Sequence, residues 1–353
     1  MSATPLPALG NHGAVEGDRY PQLLRTPRHR WWRPLLGLLV GALAVVVAAV
    51  LVILVALAIE AVRGHATNLG DDSSLNADKP LGLLANNLVI VTLIPASMLA
   101  VWAAHRAKVG GLASVVGRLR WSVLGRFLAL AFVVVAVFFA AGFAIPPAGF
   151  GDVHAPPVAT LVGLLTVILL TTPLQSAAEE VGFRGYLSQA VASWFARPLA
   201  GTLVAGGVSA TLFALAHGGQ ELALFSDRFA FGAVASWLVW RTGGLEASIA
   251  LHAANNLVSL GYTASTGSVE KALQSSTLGW PAALLDIAMM GLYAAVVARL
   301  ADGWGLAVRR PRSPLLPPDP EHGALSGPNG FGYPGSRSSA SPPAGSEPPW
   351  GMG

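Results

Sequence analysis

The sequence predicts an all-α, polytopic transmembrane helical bundle of about eight spans with disordered N- and C-terminal tails, on three observations. Hydrophobic residues make up 53% of the 353 and charged residues only 11%, where a soluble domain carries roughly 25% charge. The apolar residues gather into several long uncharged runs, each close to the ~20 residues that a helix needs to cross a bilayer. The basic residues sit beside those runs, so the net charge of +4 sets membrane orientation and gives no reason to expect a nucleic-acid partner. Cysteine is absent, which excludes a disulfide framework and thiolate-ligated metals.

Taken in order, residues 1–33 are polar, Pro-containing and basic, and read as a flexible arm with Trp31 and Trp32 at the headgroup level. Residues 34–146 hold the first transmembrane helices. The run from Pro34 to Ile59 follows Arg25, Arg28, Arg30 and Arg33 but is too long for a signal peptide and lacks a cleavage site, so it reads as a retained span. The next loop, with Asp71, Asp72 and Asp78, is expected outside. A second span near Leu83 to Ala104 leads into Arg106, Lys108, Arg118, Arg120 and Arg126, a basic loop expected in the cytoplasm. A third span, about Phe127 to Ile145, ends at Pro146 and Pro147, before an external loop without Lys or Arg.

Residues 158–300 form the core. Its apolar run Val158 to Leu174 meets, without a loop, the polar cluster Glu179-Glu180-Val-Gly-Phe-Arg184. Arg197-Pro198 breaks the helical pattern that follows, and further runs extend over Leu199 to His217, Leu222 to Trp240, Leu245 to Tyr262 and Trp280 to Leu300. Hydropathy leaves three readings of Glu180 to Ala196: a span, a continuation of the fourth span, or a partly inserted helix. Residues 311–353, rich in Pro, Gly and Ser, cannot bury enough surface to offset their ordering entropy and read as a disordered tail. Arg309, Arg310 and Arg312 at its start place it in the cytoplasm, so both termini are expected there in a multi-pass protein of the cell membrane.

Ionisable groups inside spans are costly to bury, so each is a candidate for function. Only His217 and His252, of eight histidines, lie within apolar runs. One helical turn relates Phe213 to His217, His252 to Asn256, and Glu180 to Arg184 in the favourable acid-before-base order. With Glu180 paired, Glu179 points elsewhere, and a hairpin turning at Arg197-Pro198 lets Glu179 face His217. Taken singly, a buried ion pair is the better reading of Glu180 and Arg184, an interhelical hydrogen bond that of each histidine, and packing that of Phe213. Asp286 is expected to find a helix partner, and Asn86 and Asn87 to cap or anchor a span. Gly149-Phe-Gly-Asp152 is similar to an aspartyl-protease signature but sits beside prolines without a Tyr-Asp partner, and carries little weight.

Glu-Glu-x-x-x-Arg at 179–184, Phe-x-x-x-His at 213–217 and His-x-x-x-Asn at 252–256, in that order, resemble the three motifs of the CAAX-processing and bacteriocin-processing family. The similarity covers about Val158 to Tyr262. It implies an intramembrane endopeptidase, acting on a membrane-associated or lipidated peptide or protein from a site open to the cytoplasm. Glu179 and His217 would activate water, His252 and Asn256 would stabilise the oxyanion, and Glu180, Arg184 and Phe213 would hold the site in shape. Two histidines and a carboxylate also suit a divalent metal such as zinc, held by Glu179, His217 and His252, but a metal-free water mechanism uses the same residues. The other reading is a non-catalytic scaffold or bacteriocin-immunity-like protein that binds through the same cluster.

Overall fold

The computed structural model describes residues 17–64, 75–143 and 155–311. Among these, regular structure is helical throughout, and strand pairing is limited to two isolated bridges, Arg19 with Arg309 and Ser114 with Gly244. Eight long helices carry the architecture: α1 (Arg33–Val62), α2 (Pro80–His105), α3 (Trp121–Gly142), α4 (Val158–Ala192), α5 (Pro198–Leu215), α6 (Leu222–Thr242), α7 (Glu246–Ser265) and α8 (Trp280–Gly303). All except α7 are long and apolar enough to cross a membrane. The chain is therefore an integral, multi-pass membrane protein, its many exposed Leu, Val and Ile side chains on α1, α3, α4 and α5 facing lipid.

The exception has a physical cause. Residues Glu246 to Ala254 of α7 are buried without a break, so this helix meets protein on every side and is free to carry Glu246, Ser248, His252 and Asn256 where a lipid-facing helix could not. It packs against α3 and α4 and also touches α6 and α8. Phe127, Ala131, Leu238, Ala247, Leu251, Met289 and Tyr293 fill the space between α3, α6, α7 and α8.

The ambiguous segment after Leu174 is a continuation. α4 runs 35 residues, about 52 Å at ~1.5 Å per residue, and passes through a π-helical stretch at Val181–Leu187. At the far end the chain turns through Ser193 to Arg197, and Pro198 opens α5 at its first helical position, where its missing N–H costs nothing. The hairpin and an alternating path through the membrane are thus compatible. In the hairpin of α5 and α6 the contact is made of small residues: a Cβ on Gly232 would come within 2.6 Å of Ala210 Cα, and one on Gly206 would meet Ser236. Close approach of this kind is what Gly-x-x-x-Ala and Gly-x-x-x-Ser spacings permit in membranes.

Basic groups knit one end of the bundle together. Arg120 sends its Nε and Nη2 to the two oxygens of Glu246 at 2.9 and 2.6 Å, its backbone N–H to the same carboxylate, and Nη2 also to the Thr242 carbonyl. This ties the loop after α2 to the α6–α7 turn, where Gly243 adopts φ +72°. Residues 17–32, expected to be part of a flexible arm, pack as a strap on this end. Tyr20, Gln22, Leu23 and Leu24 are buried. The Tyr20 hydroxyl donates to the Leu112 carbonyl, and burial raises its pKa well above the usual tyrosine value. Gln22 donates to the Pro198 carbonyl and Thr202, and Arg25 to the Ser193 carbonyl. Trp31 and Trp32 are exposed. Residues 1–16, Asp71, Asp72, Pro146, Pro147, the Gly149–Asp152 motif and the tail from 312 onward lie outside the described residues.

Candidate active site

Three helices bring the predicted polar residues together. Glu179, Glu180 and Arg184 come from α4, Phe213 from α5 with His217 just beyond its end, and His252 and Asn256 from α7. Arg184 Nη1 donates to Glu180 Oε1 at 2.8 Å, with the two side chains 1% and 0% exposed. Such a pair survives burial only if its remaining polar edges are accommodated. Aromatic faces supply part of this: the guanidinium carbon lies 4.3 Å from the centre of the Phe213 ring and 5.5 Å from that of Phe231. Phe213 therefore serves the ion pair as well as the packing.

His252 sits between both glutamates. Its Nδ1 is 3.0 Å from Glu180 Oε1, and its Nε2 is 3.7 Å from Glu179 Oε2. Phe231 packs edge-on against its ring at 4.8 Å. The ion pair and the aromatic wall thus fix the imidazole in one orientation, with Nε2 toward Glu179. His217 is oriented differently. Its Nδ1 is 2.8 Å from the Phe213 carbonyl, which can only accept, so Nδ1 carries the proton and Nε2 is left as an acceptor.

Gln175, one turn before Glu179, was not foreseen as part of the site. Its Nε2 donates to Glu179 Oε1, and its Oε1 accepts from Asn256 Nδ2 at 3.2 Å. Asn256 also lies 3.4 Å from Ser176 Oγ. The i, i+4 spacing of Gln175 and Glu179 was the available signal. Of the two roles expected of Asn86 and Asn87, to cap or to anchor a span, capping is ruled out because α2 begins at Pro80. Asn87 instead donates to Thr171 Oγ1 at 2.8 Å across to α4.

Glu179, His217, His252 and Asn256 all line a single cavity of about 500 Å³. Its walls also include Asn86, Gln175, Asn255, Ser259, Asp227, Arg228 and Asp286. Asp286, expected to find a helix partner, thus faces the cavity. Asn86, Asp227 and Asp286 lie in the first third of α2, α6 and α8, the helix ends remote from the basic loops, and Ala272 and Leu273 of the short helix Val269–Leu273 add to the wall on that side. A metal's fit can be judged from the donors. Among the described residues no group of three His, Asp or Glu side chains is placed to hold a metal ion, although His252 and His217, engaged through Nδ1 with Glu180 and the Phe213 carbonyl, each leave Nε2 open. Glu179, His217 and His252 are thus not arranged as a metal-binding set.

Comparison with known proteins addresses the same region. A curated relative, the uncharacterised protein YyaK of Bacillus subtilis (strain 168), is 35% identical over 98 residues, covering 27% of this chain and 33% of its own length. The chain thus matches about a third of that relative. No solved structure matches. Residues 158–258 match the model of the type II CAAX prenyl endopeptidase Rce1-like family. Over that segment, which contains Glu179, Glu180, Arg184, His217, His252 and Asn256, the chain is similar to the Rce1-like family.

Proposed function

We propose that this protein is an intramembrane endopeptidase that hydrolyses a peptide bond of a membrane-associated or lipidated substrate, with water activated by Glu179 and His217. The observation that carries the reading is the convergence of Glu179, His217, His252 and Asn256 from three segments on one cavity within an apolar bundle. The similarity to the Rce1-like family supports it. Amide hydrolysis needs a base for water, donors for the developing oxyanion and a proton for the leaving amine. His217 Nε2, free to accept, and the Glu179 carboxylate are the basic groups beside His252 and Asn256 on the cavity. His252 with both ring nitrogens protonated donates from Nδ1 to Glu180 and offers Nε2–H to the oxyanion, while Glu180 and Arg184 position the ring. Asn256 gives up its bond to Gln175 to donate to the same oxygen, and Glu179 returns the proton to the amine.

Positive charge near span ends marks the cytoplasmic side. With Arg106, Lys108, Arg118, Arg120, Arg197 and Arg309 at one end, both termini lie in the cytoplasm. The cavity extends the other way, so in this orientation substrate reaches it from the external half of the bilayer, contrary to the cytoplasmic opening that the family resemblance implied.

The test is cleavage of a membrane-peptide library by the purified, reconstituted protein, beside a Glu179→Ala control and with and without a chelator. Cleavage that disappears in Glu179→Ala is expected. Full activity in that variant rules out the assignment of Glu179, and activity abolished by chelator moves the chemistry to a metal. Tight peptide binding by folded wild-type protein without turnover supports the binding or scaffold reading.

A further inference from the structure

The cavity that holds Glu179 and His252 also carries a second acidic group that hydrolysis does not use. Asp227 projects from α6 and Asp286 from α8, and both line the cavity. Asp227 is 8% exposed, and its Oδ1 has no hydrogen-bond partner among the described residues. A buried carboxylate oxygen without a donor is expensive, and it is retained where a ligand supplies the donor. Asp286 on α8 and Arg228 on α6 interact with it, and Arg228 Nη1 is engaged with Gln220 Oε1 at 2.7 Å. Glu179, His217 and His252 complete the charged and titratable lining. Three carboxyl groups, Glu179, Asp227 and Asp286, therefore share the cavity with Arg228 and the two histidines, and a cationic ligand between Asp227 and Asp286 would offset their mutual repulsion and supply the donor that Oδ1 lacks.

We infer that Asp227 and Asp286 form a subsite for a cationic side chain of the substrate, a lysine or arginine close to the bond that is cut. This deepens the peptidase reading and rests on it. Geometry sets the register. Asp227 lies one turn, about 6 Å along the axis, from Phe231, whose ring packs on His252. An extended peptide advances about 3.3–3.6 Å per residue, which places the basic residue within about three positions of the scissile bond. Asn86, Asn255 and Ser259, which also line the cavity, offer partners to the peptide backbone.

The experiment uses the full-length protein in nanodiscs and acylated peptides that differ at one position near the cleavage site, carrying lysine, norleucine or glutamate. Cleavage is measured on wild type, and binding by fluorescence anisotropy on Glu179→Gln. Lysine is expected to exceed norleucine by about tenfold in kcat/KM and in affinity, the range of a hydrogen bond to a charged group, with glutamate below both. In Asp227→Asn and Asp286→Asn the lysine-to-norleucine ratio should fall toward one. Cleavage with lysine and norleucine equal overturns the subsite and leaves the peptidase standing. Lysine-selective binding with no peptide cut keeps the subsite and removes the peptidase. Neither cleavage nor selectivity removes both. Should the Asn variants fail to fold, the peptide series on wild type still decides.

Discussion

His252 shows how much of this site depends on single side chains that hold one another. Its Nδ1 is 3.0 Å from Glu180, which is itself bound to Arg184 at 2.8 Å. Removing one partner of a buried ion pair strands the other, typically at a cost of about 3–5 kcal/mol. Arg184→Met is therefore expected to destabilise the protein by roughly that amount, read as a fall in thermal or denaturant midpoint in detergent. The double variant Glu180→Gln/Arg184→Met should regain part of the loss. Equal stability of wild type and Arg184→Met would mean that the pair is not buried as described. For Gln175 the expectation is kinetic: Gln175→Leu frees Glu179 and Asn256 from their common partner. kcat should drop several-fold with little change in folding, and an unchanged kcat would make Gln175 a spectator.

At the scale of helices, the α5–α6 contact and the π-helical stretch of α4 place the chemistry. Ala210 and Gly232 let the backbones approach, which brings Phe213 and Phe231 into a stack with centroids 5.4 Å apart and closes the aromatic wall behind His252 and Arg184. Gly232→Leu forces these helices apart. The expected cost is about 1–3 kcal/mol, as for overpacking elsewhere, together with a loss of activity larger than in Gly207→Leu, where a side chain meets open space. Comparable stability of the two variants would show that the contact tolerates widening.

Over the whole molecule, the absence of cysteine makes single-cysteine labelling of the full chain clean. Cysteine at Lys108 is expected to react with a membrane-impermeant maleimide only after the cell is opened, and cysteine at Lys271 in intact cells. The reverse pattern would invert the orientation and put the cavity on the cytoplasmic side. Deleting residues 313–353 is expected to leave cleavage intact, since the cavity is lined by residues between Asn86 and Met290; lost activity would assign the tail a role.

What the sequence by itself determined is whatever is local or periodic. Long uncharged runs specify spans because a bilayer demands about 20 apolar residues and satisfied backbone groups. The i, i+4 spacings of Glu180 with Arg184 and His252 with Asn256 specify shared faces. Tertiary structure alone decided the rest, because it depends on which faces meet. Burial of α7 by its neighbours explains how a helix with Glu246, Ser248 and His252 lies in the bundle interior. The packed strap at residues 17–32 arises from Tyr20 and Gln22 meeting partners some 90 to 180 residues away. No spacing in the chain pairs Asp227 with Asp286, since they come from α6 and α8. Only the packing of those helices around one cavity brings both carboxyl groups into its lining.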